Sequence, residues 1–149
     1  MTRVTMKLFR ESHIDLFECS EKYRGQARDA AKWMDALGQE GQCGTHMIDG
    51  RILFIGSWFM VAPGVAEVCL LPSIYVPQYR KSFYAEVKWW ITNLLSRDDV
   101  KRIQSWGEET LKSDRWLKSL GFEREGLLYC YGPAGENVSI WGRVKQCKP

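Results

Sequence analysis

The chain has 149 residues and a formal net charge of +3, with 45% hydrophobic and 26% charged residues. This length can close one hydrophobic core and the composition excludes a disordered chain, so we predict one domain spanning residues 1–149. Acidic and basic residues are interspersed without a long basic run, which argues against nucleic-acid binding. The sequence shows no signal-like region and no apolar stretch of membrane-spanning length, so a cytoplasmic protein is expected.

The cysteines are odd in number, widely scattered and without a C-x-x-C pair. Such spacing fits neither a zinc framework nor a disulfide scaffold, so we expect no metal and a reducing compartment. Cys69 and Cys130 lie in apolar, strand-like runs, which favours small core residues over nucleophiles. The five residues are Cys19, Cys43, Cys69, Cys130 and Cys147.

The first elements in chain order are a strand and two helices. Residues 2–9 alternate between polar and apolar, which predicts a strand. Ser12 and Asp15 have the spacing of a capping box and predict that a first helix begins there. Apolar residues recur at helical spacing over residues 27–37, and Gly38 stands where a C-terminal cap would end that second helix.

A three-stranded meander follows. Residues 45–49 and 52–61 flank Asp49-Gly50, which is one of the strongest short signals for a hairpin. Pro63-Gly64 marks another turn, and residues 65–71 form the third strand of the meander.

The C-terminal half alternates between helices and strands. A long amphipathic helix is predicted by apolar residues at i, i+4, i+7, i+8 and i+11, namely Phe83, Val87, Trp90, Ile91 and Leu94. A strand at 100–106, a helix at 111–120 closed by Gly121, and strands at 125–131 and 138–144 follow. The predicted order is β-α-α-β-β-β-α-β-α-β-β, an α/β (α+β) chain with a mixed sheet, and it excludes both a doubly wound nucleotide fold and a sandwich.

Two segments carry recognisable motifs. Residues 75–80 read Tyr-Val-Pro-Gln-Tyr-Arg, a turn after a strand followed by an arginine, and residues 113–126 contain a helix that exits through Leu-Gly-Phe into a strand. With the element order, these segments resemble the GNAT superfamily of N-acetyltransferases over residues 64–144. The resemblance implies a mixed sheet with helices on both faces.

Within the superfamily, the chain looks most like small phage-encoded GNAT-like proteins. That similarity rests on Asp49-Gly50, on Ala66-Glu67-Val68 and on residues 115–118, which read Arg-Trp-Leu-Lys. Some of those proteins are virion or morphogenesis components, and others act on host proteins.

The resemblance implies acetyl-CoA as co-substrate, with its pyrophosphate held by main-chain amides where the long helix begins. The family's Arg/Gln-x-x-Gly-x-Gly/Ala loop corresponds to residues 80–85, where Phe83 replaces the first glycine and Ala85 keeps the final position small. Because Phe83 belongs to the apolar stripe, its ring is expected to point into the core. Arg80 and Lys81 would pair with phosphate, or else form a solvated helix start. The implied cofactor residues are Tyr75, Val76, Arg80, Lys81, Ser82, Phe83, Tyr84 and Ala85.

Acetyl transfer in this family is a direct attack by an amine on the thioester, which needs a base and an acid. Glu67 is the candidate base, and an outward-facing strand carboxylate is the alternative. The family's thiol-protonating tyrosine aligns with Leu117 and its frequent asparagine with Thr110, so both are absent here. Substitutes for the acid remain open among Tyr84, Tyr129 and Tyr131.

The remaining candidate residues favour structural roles or a binding partner. His13 and His46 belong to no catalytic constellation and are predicted to be structural. Trp58, Trp89 and Trp141 exceed the needs of a core and predict an aromatic surface. The leading hypothesis is therefore a CoA-dependent N-acyltransferase acting on an amine, with a host protein as a candidate acceptor. The alternative is an inactive GNAT-fold phage protein that works by binding, as a virion or morphogenesis component or as a modulator of a host protein. The aromatic surface predicts a homo-oligomer or a hetero-complex.

Overall fold

The computed structural model of the chain describes residues 3–145. Across this range seven strands form one mixed sheet, in the order β1-β2-β3-β4-β5-β7-β6. The strands are β1 (Thr5–Leu8), β2 (Cys43–Ile48), β3 (Arg51–Ala62), β4 (Val65–Pro72), β5 (Arg102–Glu108), β6 (Glu123–Leu128) and β7 (Val138–Val144). The α-helices are α1 (Glu21–Gln39), α2 (Arg80–Leu95) and α3 (Leu111–Ser119), and two 3-10 segments span Glu11–Leu16 and Val76–Tyr79. This architecture confirms the predicted fold class.

The described chain packs as two compact units. The first consists of residues up to 59 together with 69–89, and the second of residues 60–68 together with those from 90 onward. In the first unit, β2 lies between β1 and β3, and both pairings are antiparallel. Asp49 and Gly50 have φ angles of 49° and 73°, which is the left-handed geometry of a two-residue hairpin turn and confirms that prediction.

The N-terminal helical region differs from the prediction. Residues Glu11–Leu16 form a 3-10 segment whose cap is Arg10 rather than Ser12, and the Arg10 amide donates to His13 Nδ1 at 3.3 Å. Helix α1 then begins at Glu21 rather than near residue 27. Its first turns are polar, so they carry no apolar stripe to reveal them, although lysine, arginine and glutamine are good helix formers.

Gly38 does not end α1, so the predicted cap is wrong. The helix continues to Gln39 and the chain reverses at Gly41, whose φ is +77°. Gly38 is buried beneath the main chain of Phe9, and a Cβ built there would overlap the Phe9 carbonyl oxygen. Gly38 is therefore required for close packing, while Gly41 supplies the left-handed turn.

The second unit matches the predicted elements closely. Strand β5 pairs antiparallel with β7 from Arg102↔Val144 to Glu108↔Val138, and β7 also pairs with β6. Helix α3 is capped by Thr110, whose hydroxyl accepts from the Ser113 amide at 3.1 Å, and Gly121 follows the helix with φ +87°. The helix boundaries and the Leu-Gly-Phe exit are therefore confirmed.

Two side chains occupy places opposite to those predicted. Trp141 is fully buried, and its indole N–H donates to the Ser139 hydroxyl at 2.8 Å, so it is a core residue rather than part of an aromatic surface. Cys130 is exposed with φ +52°, because it lies in the turn after β6 rather than in that strand. Thr2 and Cys147 lie outside the described residues.

Candidate functional site

Strands β4 and β5 are parallel neighbours over a short stretch. The described pairing runs from Val65↔Arg102 to Glu67↔Gln104. One residue further, the Val68 carbonyl accepts from the Ser105 side-chain hydroxyl at 3.1 Å. Strand β4 itself continues to Pro72. One residue beyond Glu67, therefore, the side chain of Ser105 bonds to β4 where the described main-chain pairing of β4 and β5 has ended.

Glu67 lies at the last of these parallel pairs. It is half-buried, and its Oε1 accepts from the Gln104 side-chain amide at 3.2 Å. An amide donor holds a carboxylate in place without neutralising it, so Glu67 can still accept a proton. The structure thus shows a half-buried carboxylate held by Gln104.

The segment before α2 uses its main-chain amides internally. The Tyr75 amide donates to Ser73 Oγ at 3.2 Å, the Val76 amide to the Ser73 carbonyl at 3.4 Å, and the Gln78 amide to the Tyr75 carbonyl at 3.0 Å. Pro77 has no amide hydrogen to offer. These four positions therefore provide no row of open donors for a diphosphate.

Residues 80–85 are helical, so the predicted loop is wrong. Helix α2 begins at Arg80, directly after the 3-10 segment, and α-helical geometry pairs the amides of Tyr84 and Ala85 with the carbonyls of Arg80 and Lys81. With no glycine in this stretch, nothing in its sequence opposes the helix. The Phe83 ring is buried at 7% exposure and packs edge-on against Phe54, with 5.4 Å between centroids, which confirms that it points into the core.

The exposed side of this turn is basic and hydroxylated. Arg80 and Lys81 are exposed and Ser82 is half-buried. Tyr84 is half-buried, with the Lys88 ammonium 5.9 Å from its ring centre. Of the other candidate acids, Tyr129 is 77% exposed, and Tyr131 stacks on Trp106 with 4.9 Å between centroids. The positions of these three tyrosines do not single out one as the acid.

Two tyrosines tie the turn to distant parts of the first unit. The Tyr79 hydroxyl donates to Asp49 at 2.8 Å, and the Tyr75 hydroxyl donates to Glu18. The Arg51 guanidinium lies 4.6 Å from the centre of the Tyr75 ring. Bonding to a carboxylate raises the pKa of both tyrosines. Sequence reasoning missed these contacts, although the hairpin signal had already identified Asp49 as a turn residue.

His46 is a buried structural residue of the same unit, in keeping with its predicted role. Its ring stacks on Phe54 with 4.0 Å between centroids, and Nδ1 lies 2.9 Å from Glu86 Oε1 on α2. Burial lowers the pKa of His46 from 6.5 to about 4 and also raises the pKa of Glu86. At neutral pH an uncharged imidazole therefore donates its Nδ1 hydrogen to the carboxylate.

Acidification should destabilise the protein through His46. Between pH 6.5 and about 4 the unfolded chain holds a proton on His46 that the folded chain does not, so stability falls as pH falls through this window. Glu86, with its raised pKa, opposes this in part, because the folded state retains that proton to higher pH. We expect a loss on the order of 1–3 kcal/mol from the His46 shift, measurable by urea unfolding across this pH range.

The matched comparison is His46→Gln, which keeps a side-chain donor for Glu86 but cannot titrate. The variant should show a flatter pH profile than the wild type. His13 also has a lowered pKa, caused by burial and then by Lys7 and Arg10, so His13→Gln serves as the second reference. Equal pH profiles for wild type and His46→Gln would contradict the assignment.

Within residues 3–145, no group of three or more His, Cys, Asp or Glu side chains is arranged to hold a metal ion. No α-helix in that range is long and apolar enough to cross a membrane.

The mixed sheet, its strand order and the helices that accompany it are those of the GNAT acetyltransferase fold. The chain is similar to a GNAT-family acetyltransferase from Bacillus anthracis, with TM-score 0.72, 13% identity and coverage of 97% of this chain and 98% of that one. It is also similar to the Salmonella typhimurium acetyltransferase that modifies the N-terminal serine of the 50S ribosomal subunit protein L7/L12, with TM-score 0.73, 15% identity and coverage of 98% and 97%.

A third similar structure is the microcin C7 self-immunity acetyltransferase MccE in complex with acetyl-CoA and AMP. It gives TM-score 0.72, 11% identity and coverage of 96% of this chain and 93% of that one. No protein-family model matches the sequence, and no curated protein shows significant sequence similarity to it. At these identities the shared feature is the fold.

Proposed function

We propose that this chain is an acetyl-CoA-dependent N-acetyltransferase, acting on an amine by direct attack, and that its two units make one GNAT-like domain. The observation that carries the proposal is Glu67, a positioned carboxylate at the last parallel pair of β4 and β5 in a GNAT-ordered sheet. Main-chain groups of β4 beyond Val68 would then hydrogen-bond the extended arm of the thioester. Scattered free cysteines among the described residues support a reducing, cytoplasmic setting.

The chemistry balances without a covalent enzyme intermediate. Glu67, directly or through water, takes the proton of the acceptor ammonium, and the free amine nitrogen attacks the thioester carbonyl carbon. The carbon–sulfur bond then breaks, and the departing thiolate takes a proton from a tyrosine hydroxyl or from water. The second proton, which the amine nitrogen loses as it becomes an amide, returns to that donor. Tyr84, Tyr129 and Tyr131 stay open as the tyrosine donor.

Cofactor affinity should depend on side-chain charge more than on main-chain amides. The amides of Tyr75, Val76 and Gln78 are already bonded, whereas Arg80 and Lys81 are exposed at the start of α2. Guanidinium and ammonium groups pair strongly with phosphates. Ser82 and Ala85 would line the same turn, and Phe83 would contribute only its main chain because its ring is in the core.

The double variant Arg80→Ala/Lys81→Ala tests this assignment. Isothermal titration with acetyl-CoA should give micromolar-range binding for the wild type and about 10- to 100-fold weaker binding for the variant, because two phosphate-pairing charges are removed. Lys118→Ala, an exposed lysine of α3, is the control and should leave affinity unchanged. Equal affinities for all three proteins would place the phosphates elsewhere.

A protein amine is the proposed acceptor. One structural relative modifies the N-terminal serine of a ribosomal protein. Two synthetic probes distinguish the possible amines: a peptide with a free N-terminal serine and no lysine, and an N-terminally blocked peptide with one lysine. Mass spectrometry after incubation with acetyl-CoA should show one acetyl group on one of them. Product on neither peptide would count against a protein acceptor.

The second candidate is a GNAT-fold protein that works by binding alone, with a host protein as partner in the phage-encoded case. It is favoured by the engaged amides between Tyr75 and Gln78, which leave no open diphosphate cradle there. Absence of any binding heat with acetyl-CoA at about 1 mM would select this candidate and reject the transferase. The similarity to phage-encoded members, the host partner and the oligomeric state stay predictions.

A further inference from the structure

Strand β1 forms an edge of the sheet and lies wholly in the first unit. It pairs with β2 through four consecutive residues, from Thr5↔Met47 to Leu8↔Gly44, without a register shift. All four β1 residues are exposed. At the other edge, by contrast, the pairing of β6 is broken by a register shift between Arg124 and Gly126. Of the two edges, β1 is therefore the more regular template for an added strand.

The outward-facing main-chain groups of β1 follow from its register. The Phe9 amide donates to the Cys43 carbonyl at 2.9 Å, so Phe9↔Cys43 is a hydrogen-bonded pair. In an antiparallel ladder such pairs alternate with non-hydrogen-bonded pairs, whose main-chain N–H and C=O groups point away from the partner strand. Lys7 and Thr5 therefore bond to β2, while Met6 and Leu8 direct their N–H and C=O groups away from it.

A groove runs beside this edge. Its volume is about 610 Å³, and it lies between the start of β1 and one side of α2. Met6 and Trp89 give it an apolar lining and are 50% and 58% exposed. Met6 lies on the α2 side of the sheet, because it faces His46 across the ladder and His46 bonds to Glu86 of α2. The groove and the outward hydrogen-bonding groups are therefore neighbours.

The edge is also positively charged. Arg3, Lys7 and Arg10 are exposed along it, and Lys7 and Arg10 both lower the pKa of His13 by their charge. Two carboxylates near this edge are engaged within the unit, since Glu86 bonds to His46 and Asp35 accepts from the Glu11 amide at 2.7 Å. The exposed basic side chains therefore favour a partner segment of the opposite charge.

We propose that β1 and the adjoining groove bind an extended, acidic segment of a partner protein, which adds to the sheet as a further antiparallel or parallel strand. Its main chain exchanges hydrogen bonds with Met6 and Leu8, its acidic side chains lie beside Lys7, and its alternate apolar side chains enter the groove beside Met6 and Trp89. This surface goes beyond the proposed transferase activity, although its groove shares Ser82 and Ala85 with the proposed cofactor turn.

Two labelled peptides of about ten residues test the proposal. One alternates glutamate with valine and the other alternates lysine with valine, so they share strand propensity and differ in charge. Fluorescence anisotropy should show micromolar binding of the glutamate peptide and at least about tenfold weaker binding of the lysine peptide. Affinity for the glutamate peptide should also fall in about 0.5 M NaCl.

Main-chain recognition is tested by Met6→Pro beside Met6→Ala. Proline removes the outward-facing amide hydrogen but leaves the ladder to β2 intact, because an edge strand tolerates proline where the N–H faces solvent. Met6→Ala removes the same side chain and keeps that hydrogen. We expect at least about tenfold weaker peptide binding for the proline variant and about threefold for the alanine variant.

A glutamate peptide methylated on alternate main-chain nitrogens probes the same bonds with unaltered protein, should the proline variant fail to fold. Methylation of the nitrogens that face β1 should abolish binding, and methylation of the alternate nitrogens, which face away from β1, should not. The proposal is overturned by equal binding of the two charged peptides, by binding that ignores methylation, or by no binding at about 1 mM. It is also overturned if sedimentation shows a dimer that Met6→Pro dissociates, because a second copy would then occupy the edge.

Discussion

Gly38→Ala is expected to destabilise the fold by about 3 kcal/mol or more, because the added methyl group would meet main-chain atoms at close range. The Cβ would overlap the carbonyl oxygen of Phe9, far inside the 3.0 Å that real Cβ contacts respect. Phe9 is fully buried and its amide is bonded to Cys43. The clash is thus with fixed main chain, and neither α1 nor the sheet can yield without losing core contacts. Urea unfolding followed by circular dichroism measures the loss.

Gly25→Ala is the matched control, since it makes the same substitution in the same helix. A Cβ at Gly25 meets nothing within 4 Å. Alanine is the better helix former, so this variant should gain roughly 0.5–1 kcal/mol. Only the packing against Phe9 separates the two sites, and the difference between the variants isolates it. Equal unfolding free energies for the two variants would contradict the assignment of Gly38 to close packing.

Gly50 and Gly38 show what local sequence signals can and cannot predict. Asp49-Gly50 was correctly predicted as a hairpin turn, because a left-handed pair between alternating strands requires residues of this kind. Gly38 was misread as a helix cap. A glycine at a helix end fits either a positive φ or a close approach, and only the position of Phe9, which is distant in sequence, decides between them.

The candidate site was predictable where it depends on periodicity. The apolar stripe of α2 predicted that the Phe83 ring enters the core, and it packs on Phe54. The same stripe could not show that residues 80–85 continue the helix rather than open into a loop. That outcome follows from helix-forming residues without a glycine, together with the 3-10 segment Val76–Tyr79 that leads directly into α2.

Contacts between distant segments were beyond sequence reasoning. The Ser73 hydroxyl that occupies the Tyr75 amide and the Asp49 carboxylate that accepts from Tyr79 have no periodic or motif signal. The prediction that Cys130 lies in a strand was wrong for a related reason, since the apolar run in the sequence continues past the residue where β6 ends. In each case the competing interaction lies in the turn chemistry, which a pattern of apolar residues does not record.

Glu67→Gln is expected to lower turnover by about 10²- to 10⁴-fold while leaving acetyl-CoA affinity unchanged, because it removes a proton acceptor and keeps the shape of the side chain. The substitution also preserves the opportunity to bond Gln104 across the β4–β5 pair. Initial rates with the peptide that accepts an acetyl group, measured at saturating acetyl-CoA, give the effect directly. Thermal unfolding should be nearly unchanged.

Glu123→Gln supplies the control for this experiment, because Glu123 is an exposed strand carboxylate of β6 and the substitution makes the same change of charge. Its turnover should equal that of the wild type. If Glu67→Gln and Glu123→Gln behave alike, Glu67 is not the base. A loss specific to Glu67 that becomes smaller as the pH rises would instead support the assignment, because solvent then takes the ammonium proton that the missing carboxylate no longer accepts.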